Sequence, residues 1–132
     1  MLERGRLQAA AGKERTTVLI EEPNVKGIQA SLQRLDRTAD KLGFVRWQWE
    51  YYRATYDYKI EDRQSNAEYF LRVNARVTRG KLERPDAELV LTDAYIGKAT
   101  FPHGLDYQSP IPEPVMAVAR KKLSELREAL TA

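Results

Sequence analysis

Cysteine is absent from this chain of 132 residues, and histidine occurs once, at His103. The first absence excludes disulfide scaffolds, thiolate zinc sites and cysteine nucleophiles together. The second leaves no cluster of imidazole ligands and no Ser-His triad away from His103. No window approaches the ~20 apolar residues that a membrane-crossing helix needs. The basic start Met1-Leu2-Glu3-Arg4-Gly5-Arg6 reaches no apolar run of signal-peptide length. The glycines at 80, 97 and 104 lack the spacing and the flanking Lys-Ser/Thr of a phosphate loop. Charge of one sign is scarce too: 22 Lys and Arg against 19 Asp and Glu leave +3, with a basic 65–84 followed by an acidic 85–119. These absences imply a cytoplasmic chain with no bound metal or cofactor and no membrane contact.

What is present suits one compact domain: 42% of residues are hydrophobic and 31% charged, which excludes a disordered chain. Residues 1–15 read as a flexible N-terminal extension and 16–132 as a single α+β domain. Thr16-Thr17-Val18-Leu19-Ile20 reads as a strand, closed by Glu21-Glu22-Pro23-Asn24. Val25, Ile28, Leu32, Leu35, Ala39 and Leu42 recur at helical spacing, so a helix is expected over about 25–42, with Asn24 as N-cap and Gly43 as C-cap.

After Gly43 the period becomes two. Val45, Trp47, Trp49 and Tyr51 alternate with polar partners, then Tyr56, Tyr58 and Ile60, then Tyr69, Leu71, Val73, Ala75 and Val77. A two-residue turn at Arg53-Ala54 would oppose Tyr51 to Tyr56, Trp49 to Tyr58 and Trp47 to Ile60. A turn through Arg63–Asn66 would oppose Ile60 to Tyr69, Tyr58 to Leu71 and Tyr56 to Val73. Directly opposed residues share a face, so both registers follow from the pattern. Leu82 is expected to tuck under the 79–86 loop. Ala87, Leu89 and Leu91 start a fourth meander strand, and Tyr95, Ile96, Ala99 and Phe101 either continue it past Gly97 or form a short further strand. Val115, Ala119, Lys122, Leu126 and Leu130 mark a helix over about 113–130. The expected architecture is α+β: a twisted antiparallel β-meander of about five strands, with two helices (about 25–42 and 113–130) packed on one face.

Gly43-Phe44, Trp49-Glu50-Tyr51, Tyr56-Asp57-Tyr58-Lys59-Ile60, Tyr69-Phe70-Leu71-Arg72-Val73, Gly80-Lys81-Leu82-Glu83 and His103-Gly104-Leu105-Asp106-Tyr107 follow one another in this order. Together they resemble the YugN-like family of small uncharacterised bacterial proteins, over about residues 25–130. The family has Gly in the tight turn where this chain has Ala54. The resemblance implies a bacterial cytosolic α+β domain and carries no catalytic residue over.

Nine of the twelve aromatics lie between Phe44 and Phe70. Trp47, Trp49, Tyr51, Tyr56, Tyr58 and Tyr69 fall on the face assigned to the helices and read as core rather than as a stacking platform. Arg46, Tyr52, Lys59, Phe70, Arg72 and Arg76 fall on the outer face, where aromatics and cations interleave. They are the binding candidates. The leading reading is a non-enzymatic interaction or structural protein that self-associates as a homodimer or binds a protein partner. The alternative is a weak, sequence-tolerant nucleic-acid or polyanion binder using the outer face. A third is a small enzyme in which Asp106 orients His103 for general base chemistry. Glu50 and Asp57 are opposed in the expected register, and a close carboxylate pair can serve acid–base work, with Lys59, Arg46 and Arg72 nearby to neutralise it.

Overall fold

A computed structural model describes residues 18–100, 104–106 and 110–132. It shows strands β1 (Val18–Leu19) and β2 (Gln29–Ser31), helix α1 (Leu32–Leu42), strands β3 (Val45–Glu50), β4 (Arg53–Asp62), β5 (Ala67–Arg79), β6 (Glu88–Thr100) and β7 (Gly104–Asp106), and helix α2 (Glu113–Thr131). The strands form one open antiparallel sheet in the order β1-β6-β5-β4-β3, and β2 and β7 also pair with β6. The fold is α+β as expected, with two short strands beyond the expected set. The expected extension at 1–15 and the start of the first strand, Thr16-Thr17, lie outside the described residues.

The β4–β5 register matches the one expected from alternation: Ile60 faces Tyr69, Tyr58 faces Leu71 and Tyr56 faces Val73. Polar residues 63–66 make the turn. Asn66 takes φ +53°, which a short amide side chain tolerates, and Ser65 Oγ donates to Asp62 Oδ2 at 2.6 Å. Along β6 the inward residues change from odd (Leu89, Leu91) to even (Ala94, Ile96). A bulge accounts for the change: Asn74 pairs with Asp93 but Ala75 with Leu91, which leaves Thr92 as the extra residue. Leu82 is buried as expected.

Helix α1 begins seven residues later than expected. Gly27 adopts φ +91°, outside the helical region, and its N–H donates to Leu91 O at 2.8 Å. Gln29–Ser31 then run as β2 against Val90, Leu89 and Glu88. Asn24 caps a turn rather than a helix, accepting from Lys26 N at 3.1 Å, and Ser31 is the N-cap, accepting from Arg34 N at 3.2 Å. Val25 is still buried, so the apolar stripe is real while its first turn is not helical.

Both helices cover the same sheet face. Leu32, Leu35 and Ala39 of α1 are buried with Val115, Ala119, Leu123, Leu126 and Leu130 of α2, over Leu71, Val73 and Ile96 of the sheet. Arg34 Nη2 ties the helices by donating to Ala129 O at 3.1 Å. Lys122 Nζ lies 4.7 Å from the centre of the Tyr58 ring, and Phe44 stands against the same ring. Gly43 ends α1 at φ +96°, its N–H bonded to Ala39 O and Asp40 O. A Cβ there would meet Tyr58 Cε1 at 3.0 Å. Gly43→Ala is therefore expected to cost about 1–2 kcal/mol from the left-handed backbone alone, read as a lower urea midpoint at unchanged slope.

The β3–β4 register differs from the expected one. Val45 faces Asp57, Arg46 faces Tyr56, Trp47 faces Thr55 and Gln48 faces Ala54, then the register shifts before Glu50 and Arg53. The turn is Tyr51-Tyr52, and Ala54 is a buried strand residue rather than a turn residue. Three contacts explain the choice. Val77 N donates to Tyr52 O at 2.8 Å and Leu82 N to Tyr51 O at 3.0 Å, which fixes the turn against the end of β5 and the 80–87 loop. On β3 itself, Arg46 Nε sits 3.1 Å from Asp36 Oδ1 of α1. Parity is thereby reversed. Val45 (60% exposed) and Trp47 (51%) turn away from the helices, and Tyr51 is also exposed, so these residues are not core. The Trp49 side chain lies outside the described residues.

Candidate functional site

Among the described residues no helix covers the outer sheet face, and β3 has no strand on its far side. Register places its side chains in rows: Val45, Asp57, Arg72 and Tyr95, next to Trp47, Thr55, Asn74 and Asp93, with Glu50, Arg53 and Arg76 at the end. The centre is tied together. Thr55 Oγ1 donates to Asn74 Oδ1 at 2.9 Å, Asn74 Nδ2 donates to Asp93 Oδ1 at 3.0 Å, and Thr92 Oγ1 donates to Asn74 O at 3.2 Å. Arg53, Thr55, Asn74, Arg76, Thr92 and Asp93 line a recess of about 360 Å³ there, together with Ala54 and Ala75.

The cations of this face are mostly matched. Arg72 Nε and Nη2 hold both oxygens of Asp57 at 2.8 Å, and Asp57 is 5% exposed. Lys59 Nζ lies 3.8 Å from Glu61 and from Glu68, and Arg53 Nε lies 3.3 Å from Glu50. The expected opposition of Glu50 and Asp57 does not occur: Asp57 faces Val45 and Glu50 faces Arg53.

Of the candidate residues, Lys59, Phe70, Arg72 and Arg76 lie on the outer face, with Lys59 directly opposite Phe70. Tyr52 is exposed in the turn. Arg46 does not join them. It points to the helix side, where Asp36 also accepts from the Tyr56 hydroxyl at 2.7 Å. Burial and then that hydrogen bond push the Tyr56 hydroxyl well above the ordinary phenol range, so it stays a donor. His103 lies outside the described residues, as does the Asp106 side chain. The Asp106 backbone pairs with Lys98. Among the described residues no group of three His, Cys, Asp or Glu gathers to hold a metal, and no helix is long and apolar enough to cross a membrane.

Sequence reasoning missed Val45, Trp47, Arg53, Thr55, Asn74 and Asp93. The signal available was the odd-to-even change along β6, which marks the bulge beside Asp93.

Residues 21–126 match the YugN-like family. The uncharacterized protein YlbA of Bacillus subtilis (strain 168) is 30% identical over 102 residues, which cover 76% of this chain and 83% of that protein. The crystal structure of the uncharacterized conserved protein YugN from Geobacillus kaustophilus HTA426 is similar with a TM-score of 0.75 at 28% identity, over 87% of this chain and 96% of that one.

Proposed function

The chain belongs to the YugN-like family of bacterial proteins, and from that premise we propose that it is a non-enzymatic, cytoplasmic interaction domain whose outer sheet face docks a second copy. The observation that carries this reading is Trp47, half exposed beside Val45 on the edge strand of a sheet whose other face is fully packed. A large aromatic left in water at a flat face is the kind of residue that anchors an interface. The charge pattern supports a second copy as the occupant. Arg53 and Arg76 share the face with Glu50 and Asp93, so a two-fold axis passing between the two sets would bring unlike charges together.

The polyanion reading draws less support, because Arg72, Lys59 and Arg53 each have a carboxylate partner. The expected result in sedimentation over a wide concentration range is a monomer–dimer equilibrium that Trp47→Ala weakens at least about tenfold, the loss of roughly 1.4 kcal/mol. A chain that stays monomeric throughout overturns the reading.

A further inference from the structure

We propose that the recess between Arg53 and Arg76 binds a small dipolar ligand, with a phosphate or carboxylate at one end and an amine at the other. The inference goes beyond self-association and concerns the same face with no second copy on it, because Arg53, Arg76 and Asp93 belong to both. Arg53 and Arg76 are directly opposed across β4 and β5. Like charges in that position destabilise a sheet unless something negative lies between them. Arg53 is only partly answered, by the exposed Glu50 at 3.3 Å. Among the described residues Arg76 has no carboxylate within ion-pairing distance. The two guanidiniums therefore form the anion end, with donors suited to a phosphate or carboxylate.

The other end is Asp93. Its Oδ1 accepts from Asn74 Nδ2 at 3.0 Å, with Thr92 Oγ1 at 3.3 Å sharing its one proton between this oxygen and Asn74 O, which fixes the carboxylate without neutralising it. Between the ends lie Thr55, only 9% exposed, and Asn74, already held by each other. The floor is thus set before any ligand arrives, and little ordering is left to do. The bulge at Thr92 breaks the ladder beside Asp93, the kind of irregularity often found next to binding sites. At about 360 Å³ the recess sits at the low end for ligand pockets, which suits a molecule of few heavy atoms. A long polyanion fits poorly, since Asp93 and Glu50 repel the charges that follow the first.

The test is a titration followed by amide chemical shifts, with phosphoethanolamine and β-alanine as probes and inorganic phosphate and ethanolamine as controls. The expected result is saturable shifts at Thr55, Asn74 and Asp93 with at least one of the two dipolar probes. Arg76→Gln, at an exposed position that leaves the fold intact, should weaken that probe by about tenfold or more. Asp93→Asn should weaken the dipolar probe and leave inorganic phosphate unchanged. Which probe binds tells a phosphate source from a carboxylate source. No saturable shift with either probe overturns the proposal, and so does equal binding by Arg76→Gln or Asp93→Asn. Titrating Trp47→Ala in parallel separates an empty recess from a covered one: that variant leaves the face open, so it should bind the probe at least as tightly as the unaltered chain, and no saturable shift with it overturns the recess whatever the state of association.

Discussion

Leu71→Ala should remove about 3–5 kcal/mol of folding stability, the largest effect expected of any single truncation in the sheet. Leu71 is 0% exposed and sits in β5 between Tyr58 of β4 and Ile96 of β6, on the face that both helices cover. Three missing heavy atoms at the junction of two helices and three strands leave a void that backbone shifts cannot close, because each neighbour is held by its own ladder. Against a total stability of about 5–15 kcal/mol for a domain of this size, that is about a fifth of the margin or more. Urea denaturation reads it as a fall in midpoint. Leu19→Ala, at a half-exposed site, is the control and should stay within about 0.5 kcal/mol. A Leu71→Ala loss as small as the control's would mean that the helices do not seal the sheet.

Arg72→Met should cost about 3 kcal/mol, and replacing Asp57 as well should restore most of it. Asp57 is 5% exposed on a face that otherwise meets water, and both its oxygens are held at 2.8 Å by Arg72. Removing the guanidinium alone leaves a buried carboxylate uncompensated, which costs about 3–5 kcal/mol in fully buried pairs. The low end applies because the Arg72 side chain is 27% exposed and water can reach the gap. An Asp57→Leu/Arg72→Met double variant removes both charges and keeps the volume, so it should lie near wild type. The pair then specifies which residues face each other more than it adds net stability. Equal losses in the single and double variants would contradict that account.

How much of this was legible in the sequence differs from strand to strand. Between β4 and β5, Tyr56, Tyr58 and Ile60 meet Val73, Leu71 and Tyr69 in alternation on both sides, and the turn between them is polar, so pattern alone sets the register. In β3 the aromatics alternate just as regularly, yet Arg46 faces the helices while Val45 and Trp47 turn away. Arg46 reaches Asp36 on α1, and nothing in a local period reports a partner on another element. The start of α1 was hidden for a related reason: Val25 and Ile28 keep helical spacing, while Gly27 adopts a left-handed φ and Gln29–Ser31 pair with β6. Of the site, Lys59, Phe70, Arg72 and Arg76 were placed by parity within β4 and β5. Thr55 meets Asn74 in that same register, while Asp93 joins them only once the bulge in β6 is known.

The register shift between Gln48 and Glu50 bears on how copies of the chain can assemble. A straight edge strand is a template: one chain adds to it, that chain offers its own edge, and growth has no natural end. Here the regular ladder of β3 with β4 stops after Val45–Gln48, and the strand bends away before its last residue. Four residues are a poor template for a further strand. In the proposed pair, contact through the broad face would use up both surfaces, so such an assembly would close at two copies instead of lengthening into a fibre.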